Sequence, residues 1–324
     1  MEFFLPFKIQ DYPFKISYED KILFIGSCFS EEIGNKLKEL KLNVLQNPNG
    51  ILYDPLSISD SLFSYIKNKP FDKKNIFELN GLWHSWKHHS SFSGINKKDV
   101  LSRINQSQTE AHSFLKSANF LIITLGTSFS YRLKNINENV ANCHKAPSDI
   151  FEKNLVPTDE IISEMLSVLT AIEKFNPGLK IIFTISPVKH IRDGVIENNR
   201  SKARLIEAVH SISEEKKNVF YFPSYELVND VLRDYRFYKS DLVHPNEMAF
   251  NYVFEKFCES YLDDSSKKII MELKKILSAV NHKPFLKDSM AHKKFAEAQL
   301  KNIQNLESSY PQIDLSRERE YFEE

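Results

Sequence analysis

Five short, largely apolar runs, at residues 22–25, 42–46, 120–125, 180–185 and 219–222, alternate along this chain with longer stretches whose apolar positions recur at helical spacing. A run that is apolar at successive positions has to be covered on both faces, because neighbouring strand residues point to opposite sides. Alternation with helices supplies that cover, and right-handed strand–helix–strand crossovers then place the strands side by side in a parallel sheet. The expected fold is therefore α/β, a three-layer α/β/α sandwich of about five parallel strands with all strand ends on one rim. Helices are expected from a Ser30 cap through Ile33, Leu37 and Leu40, and over 54–67, 97–116, 158–174 and 199–216. Residues 134–155 read as a polar insertion.

The chain of 324 residues is 42% hydrophobic, enough for a substantial core, and we divide it into a domain at 1–263 and a C-terminal extension at 264–324. The first 20 residues, aromatic and aperiodic, read as an extended arm. The extension carries two charged helical patterns, 265–279 and 287–306, whose apolar stripe Ile269, Ile270, Leu273, Ile276 and Leu277 packs on the domain or on a second copy of the chain. Residues 70–96, rich in aromatics, histidine and small polar residues, read as a lid with a hairpin at Asn80-Gly81.

Forty-three basic and 43 acidic residues cancel, so nothing at the level of the whole chain favours nucleic acid or an anionic membrane as partner. Cys28, Cys143 and Cys258 are too dispersed for a disulfide framework. The opening residues lack the pattern of a secretory leader, and no run reaches membrane-spanning length. The expectation is a cytoplasmic protein without cofactor or metal. His84, His88, His89, His144 and Cys143 were weighed as zinc ligands, but the Gly81- and Ser-rich context argues against a helix presenting His84 and His88 together, and a substrate lid is the preferred reading.

Chemistry concentrates at three places. The first strand ends in Gly26-Ser-Cys-Phe-Ser30, with two adjacent nucleophile candidates, Ser27 and Cys28, at a rim where ligands bind in open α/β sheets. The third ends in Gly126-Thr-Ser128. Beyond the fifth comes Asp241-Leu-Val-His244-Pro-Asn246, where a carboxylate three residues before an imidazole can fix its tautomer and leave the far nitrogen to take a proton, and Asn246 can cap the next helix. Gly126-Thr-Ser128-Phe-Ser130 lacks the last glycine of a nucleophile elbow.

In this order the motifs resemble the SGNH (GDSL-like) hydrolase superfamily, and more narrowly the GSCFA family. The likeness covers roughly residues 20–262 and includes Asn47-Pro-Asn-Gly50, Trp83 to Ser93, Asn142-Cys-His-Lys145, Ser186-Pro-Val-Lys-His190 and Asp234-Tyr-Arg-Phe-Tyr238. It implies a flavodoxin-like fold, a nucleophile after the first strand, oxyanion donors on neighbouring loops, and hydrolysis or transfer of acyl esters, often on sugars. Carried onto this chain, it makes Cys28 or Ser27 the nucleophile, His244 the base and Asp241 its orienter. Gly50, Asn47, Gly126, Ser128, His89 and His144 become the oxyanion and substrate-binding positions, and the partner a small-molecule or glycan ester. The chain departs from the superfamily pattern where Cys28 stands in the serine position and Ser128-Phe129 replaces the third-block Asn. The rival reading is a silent SGNH fold that binds a glycan or a protein.

Overall fold

A computed structural model describes residues 5–282 and 289–323. The five expected strands are β1 (Lys21–Gly26), β2 (Asn43–Gln46), β5 (Phe120–Leu125), β9 (Lys180–Ile185) and β10 (Val219–Phe222). They form one all-parallel sheet in the order β2-β1-β5-β9-β10. The chain leaves β1 toward β2 and returns on the other side to β5, so the order reverses between β1 and β5, the place where open sheets hold ligands.

The period of two within each strand builds two cores. Ile22 and Phe24 of β1, Phe120 and Ile122 of β5 and Ile182 of β9 face one side, with α1 (Cys28–Glu39) and α7 (Glu247–Tyr261). Leu23, Ile25, Leu121, Ile123, Ile181 and Phe183 face the other, with α2 (Pro55–Lys67), α3 (Lys97–Ser117), α4 (Thr158–Phe175) and α5 (Val195–Glu215). All six residues of β5 are buried, as its central position requires. A short turn, α6 (Ser224–Glu226), leads from β10 into a π-helical segment at Leu227–Leu232.

The Asn80-Gly81 hairpin joins β3 (Phe77–Leu79) to β4 (Leu82–His84), with positive φ at both turn residues. The polar insertion expected at 134–155 is instead part of a three-stranded antiparallel sheet: β6 (Phe129–Leu133) pairs with both β7 (Glu138–Val140) and β8 (Phe151–Leu155). These strands are short and one face is wet, so Glu152, Lys153 and Asn154 mask their pattern. The α1 cap is Ser27, not Ser30, and α5 begins four residues before the expected Asn199.

The arm reaches further than the first strand: Ile16 bridges to Leu262, and Tyr12 stacks on Tyr261 with ring centroids 4.9 Å apart. Residues 1–4 of that arm lie outside the described residues. Asp263 caps α8 (Asp264–Asn281), whose Ile269, Ile270, Leu273 and Ile276 join the α1–α7 core and so pack on this chain. The last helices are α9 (Met290–Ser309) and α10 (Ser316–Glu323); the expected start at Lys287 lies outside the described residues. Among the described residues, no helix is long and apolar enough to cross a membrane.

Candidate active site

Gly26 ends β1 at φ +138°, and a Cβ there would stand 2.1 Å from the carbonyl oxygen of Thr124 on β5. Only glycine lets the two strand ends approach so closely. The Ser27 amide then donates to that Thr124 oxygen at 3.2 Å, while the Ser27 hydroxyl accepts from the Phe29 amide at 3.3 Å as the helix cap. Ser27 is fully buried in this role. Cys28, the first residue of α1, is only half-buried. Its amide lies in the first turn, where no carbonyl of the helix can accept it. The two candidate nucleophiles therefore differ: the serine is committed to the backbone and the thiol is at the rim. Burial, and then the neighbouring Glu32, push the Cys28 thiol up from its ordinary value.

Opposite the corner, Asp241 Oδ2 and His244 Nδ1 lie 2.7 Å apart, and Asp241 Oδ1 accepts from the amides of Val243 at 2.9 Å and His244 at 3.0 Å. Those backbone bonds, more than the imidazole, hold the Asp241 carboxyl down at about 2. An ionised Asp241 fixes the proton on Nδ1 and frees Nε2 to accept one. The turn is braced from three sides. Lys239 donates to the His244 carbonyl at 2.7 Å, Lys189 to that of Val243 at 3.2 Å, and Asn246 caps α7 through Ala249 while donating to the Arg236 carbonyl at 2.7 Å. Lys239 also reaches Glu32 of α1 at 3.9 Å, which sets the imidazole-bearing turn beside the helix that begins with Cys28.

Of the two positions expected in the loop after β2, Gly50 and Asn47, only Asn47 keeps a free donor. The Gly50 amide is committed to the Asn47 carbonyl at 2.7 Å, and its φ of +77° with no Cβ serves instead to admit His89, whose own Cβ lies 2.3 Å from where one would stand. Asn47 receives the Gly26 amide on Oδ1 at 2.9 Å, and its Nδ2 is buried without a partner. That places an unused donor at the β1 corner. The loop after β5 is similarly committed: the Gly126 amide donates to Tyr53, and the Ser128 amide to the Ser201 hydroxyl at 2.8 Å. Ser128 is fully buried, and its hydroxyl, like Asn47 Nδ2, has no partner.

His89 packs over the Asn47–Gly50 turn, bonds Ser91 and lies within electrostatic reach of Glu31. His144 packs against His84 with ring centroids 4.6 Å apart and the planes tilted by 42°, donates from Nε2 to the Ser85 carbonyl at 2.8 Å, and is pushed down to about 4 by burial. His84 belongs to β4 and His88 to the turn beyond it, so no helix presents them together; among the described residues no three His, Cys, Asp or Glu side chains gather around a common point for a metal. Phe77 stacked on Trp86 at 3.6 Å completes an aromatic and imidazole cluster formed by the 70–96 segment and His144.

Of three further side chains at this rim, His190 lies in the Ser186–His190 motif, while Tyr53 and Lys202 belong to none of the motifs. Tyr53 packs edge-on against His190 at 5.4 Å and is close enough to Cys28 for a thiolate there to raise its pKa. His190, pushed down to about 3 by burial and then by the Lys202 charge, keeps a buried Nε2 without a partner. Lys202 is buried beneath both loops. From Tyr53 and His190 a cleft of about 790 Å³ opens along the antiparallel sheet past Phe129, Tyr131, His144 and Arg192. Among the cations nearby, Arg236 pairs with Asp234, and Lys189 sits over the rings of Tyr235 and Tyr238.

A family model described as the GSCFA family matches residues 21–257, and one described as the C-terminal domain of GSCFA domain proteins matches residues 273–324. Among solved structures, the chain is similar to a carbohydrate esterase family 3 protein from Talaromyces cellulolyticus, at 10% identity and a TM-score of 0.37, over 79% of this chain and 99% of that one. It is also similar to an acetyl xylan esterase from the rumen bacterium Butyrivibrio proteoclasticus, at 14% identity and a TM-score of 0.36, over 83% of this chain and 66% of that one. No curated protein matches.

Proposed function

The chain belongs to the GSCFA family, a relative of the SGNH hydrolases, and from that premise we propose that it is an esterase or acyltransferase working through a thioester on Cys28. Acetyl esters of carbohydrates are the first substrates to examine. The observation that carries the reading is the Asp241–His244 pair at 2.7 Å, with Nε2 uncommitted, on a turn joined by Lys239 to the helix that Cys28 begins.

In this reading the thiol proton passes to His244 Nε2, and the sulfur attacks the ester carbonyl carbon. The tetrahedral oxyanion is met by the Cys28 amide and the spare N–H of Asn47 Nδ2. Its collapse expels the alkoxide, which takes the proton back from His244. Water, or an acceptor hydroxyl, then gives its proton to the same nitrogen and attacks the thioester, releasing the acid or the new ester and restoring the thiol. Ser27 has its hydroxyl engaged in the helix cap, which favours Cys28 over it.

A second reading, a silent fold that binds a glycan or a protein, draws support from the committed amides of Gly50 and Gly126, which remove two expected oxyanion donors. Short-chain nitrophenyl esters and acetylated sugars, assayed with wild type, Cys28→Ala, Ser27→Ala and His244→Ala, separate the two. Turnover lost in the Cys28 and His244 variants and kept in Ser27→Ala supports the esterase; wild-type turnover no higher than that of His244→Ala on every substrate supports the silent fold.

A further inference from the structure

The cleft along the antiparallel sheet begins beside both halves of the proposed catalytic pair. Leu52 donates to the Gly26 carbonyl at 2.9 Å, while Gly126 and Thr127 donate to the carbonyl of the next residue, Tyr53, at 2.8 and 3.1 Å. Tyr53 is thereby fixed between the ends of β1 and β5, and β1 ends two residues before Cys28. On the other side, Lys189 donates to the Val243 carbonyl at 3.2 Å, which sets His190 beside His244, and His190 Nε2 lies 3.2 Å from where a Cβ on Gly126 would stand. Tyr53 and His190 both line the cleft, so a molecule filling it has one end against the residues that flank Cys28 and His244.

At about 790 Å³ the cleft is far larger than an acetyl group needs and is of the size that holds a whole small molecule. Half-buried Phe129 and Tyr131 on β6 give it aromatic surface. Three cations line it, Lys145, Lys153 and Arg192, against two carboxylates, Asp54 and Asp193. Both carboxylates are committed: Asp193 pairs with Lys153, and Asp54 is buried and caps α2 through the Ser57 amide at 3.0 Å. Among the described residues no carboxylate pairs with Lys145 or Arg192, and both are exposed. Lys145 is carried to the cleft by a loop in which it and His144 take φ of +58° and +49°, a conformation disfavoured for residues with a side chain. The cleft therefore offers its occupant an aromatic wall and two positive charges that the chain does not itself neutralise.

We infer that this cleft is the subsite for the sugar half of the ester and that the sugar is acidic, its carboxylate or phosphate held by Arg192 and Lys145 and its ring against Tyr131. The inference rests on the sugar-ester reading of the corner, but it is tested by binding and does not require turnover. Glucose, glucuronate and glucose-6-phosphate are titrated into wild-type protein by isothermal calorimetry. The three share a ring and differ in charge, so the last two distinguish a carboxylate site from a phosphate site.

One of the two acids is expected to bind at least about tenfold more tightly than glucose, with a margin that shrinks as salt is raised. Arg192→Gln and Lys145→Gln should each weaken that acid by about three- to tenfold, and the double variant should bring it to the level of glucose, whose own affinity stays within about twofold. Lys98→Gln, an exposed lysine of α3 outside the cleft, should change nothing. Acids that bind no more tightly than glucose, or a preference that survives in the double variant, overturn the inference. A preference that follows Arg192 and Lys145 and persists in Cys28→Ala, while wild type hydrolyses no acetylated sugar, supports the subsite and sinks the esterase reading instead.

Discussion

Gly50→Ala tests how His89 and the 70–96 segment are seated on the loop after β2. Alanine at φ +77° adopts a left-handed conformation at a cost of about 1–2 kcal/mol. Its Cβ would also lie 2.3 Å from the Cβ of His89, far inside contact distance, and the obstacle is the root of a side chain that cannot swing away. Relief requires His89 to move back by about 1 Å, which stretches its amide bond to the Asn49 carbonyl, now 2.9 Å, at a further ~1 kcal/mol. The total is about 2–3 kcal/mol. For 324 residues the unfolding entropy is about 0.7 kcal/mol per kelvin, so the melting temperature should fall by about 3–4 °C.

Gly81 is the internal control. Its φ is +74°, but nothing lies within 4 Å of where its Cβ would stand, so Gly81→Ala carries the conformational cost alone and should lose about 1–3 °C. Differential scanning fluorimetry of the two variants against wild type compares them directly. A loss in Gly50→Ala no larger than in Gly81→Ala would refute the close seating of His89 on the turn.

Ser27→Ala should lose about 1 kcal/mol with the α1 cap yet keep most of its turnover, as read by urea denaturation and the ester panel together. Asp241→Asn should cut kcat by about 10²–10⁴-fold through loss of the Nδ1 tautomer, with KM changed far less. The folded carboxyl of Asp241 is held at about 2 against the ordinary 3.8, so the folded state binds fewer protons than the unfolded; the stability this confers is present above about pH 4 and is lost as pH falls toward 2. Melting curves of Asp241→Asn should lack that part of the acid decline. Glu32→Gln should move the pH midpoint of iodoacetamide alkylation of Cys28 down, because the Glu32 carboxylate is, after burial, the main group raising it; an unchanged or higher midpoint would contradict the placement of Glu32 beside the thiol.

The central sheet was legible because strands covered on both faces carry apolar residues at successive positions, as in β5, while the β6–β8 sheet, wet on one face, hid its period behind Arg132, Glu152 and Lys153. The α1 cap was misplaced at Ser30 because the helical apolar pattern begins only at Ile33; the Gly26–Thr124 register, a tertiary fact, decides for Ser27. At the site, the Asp241–His244 spacing describes a contact within one turn and can be read locally. The donors of the loops after β2 and β5 cannot, because Gly50, Gly126 and Ser128 have amides whose partners, Asn47, Tyr53 and Ser201, are settled only by packing. Lys202 looked like any lysine on an amphipathic helix. Its burial rests on bonds to the carbonyls of two strand ends, 76 and 16 residues away.

The most direct measurement is the identity of the acylated residue. Wild-type protein mixed with an activated acetyl ester, quenched in acid within one turnover and digested, should carry a single acetyl group on Cys28, labile to hydroxylamine as a thioester is, and absent from Cys28→Ala. Deacetylation should slow and the adduct accumulate in His244→Ala after forced labelling. An acetyl group on Ser27, or the same adduct yield in Cys28→Ala, would contradict the account.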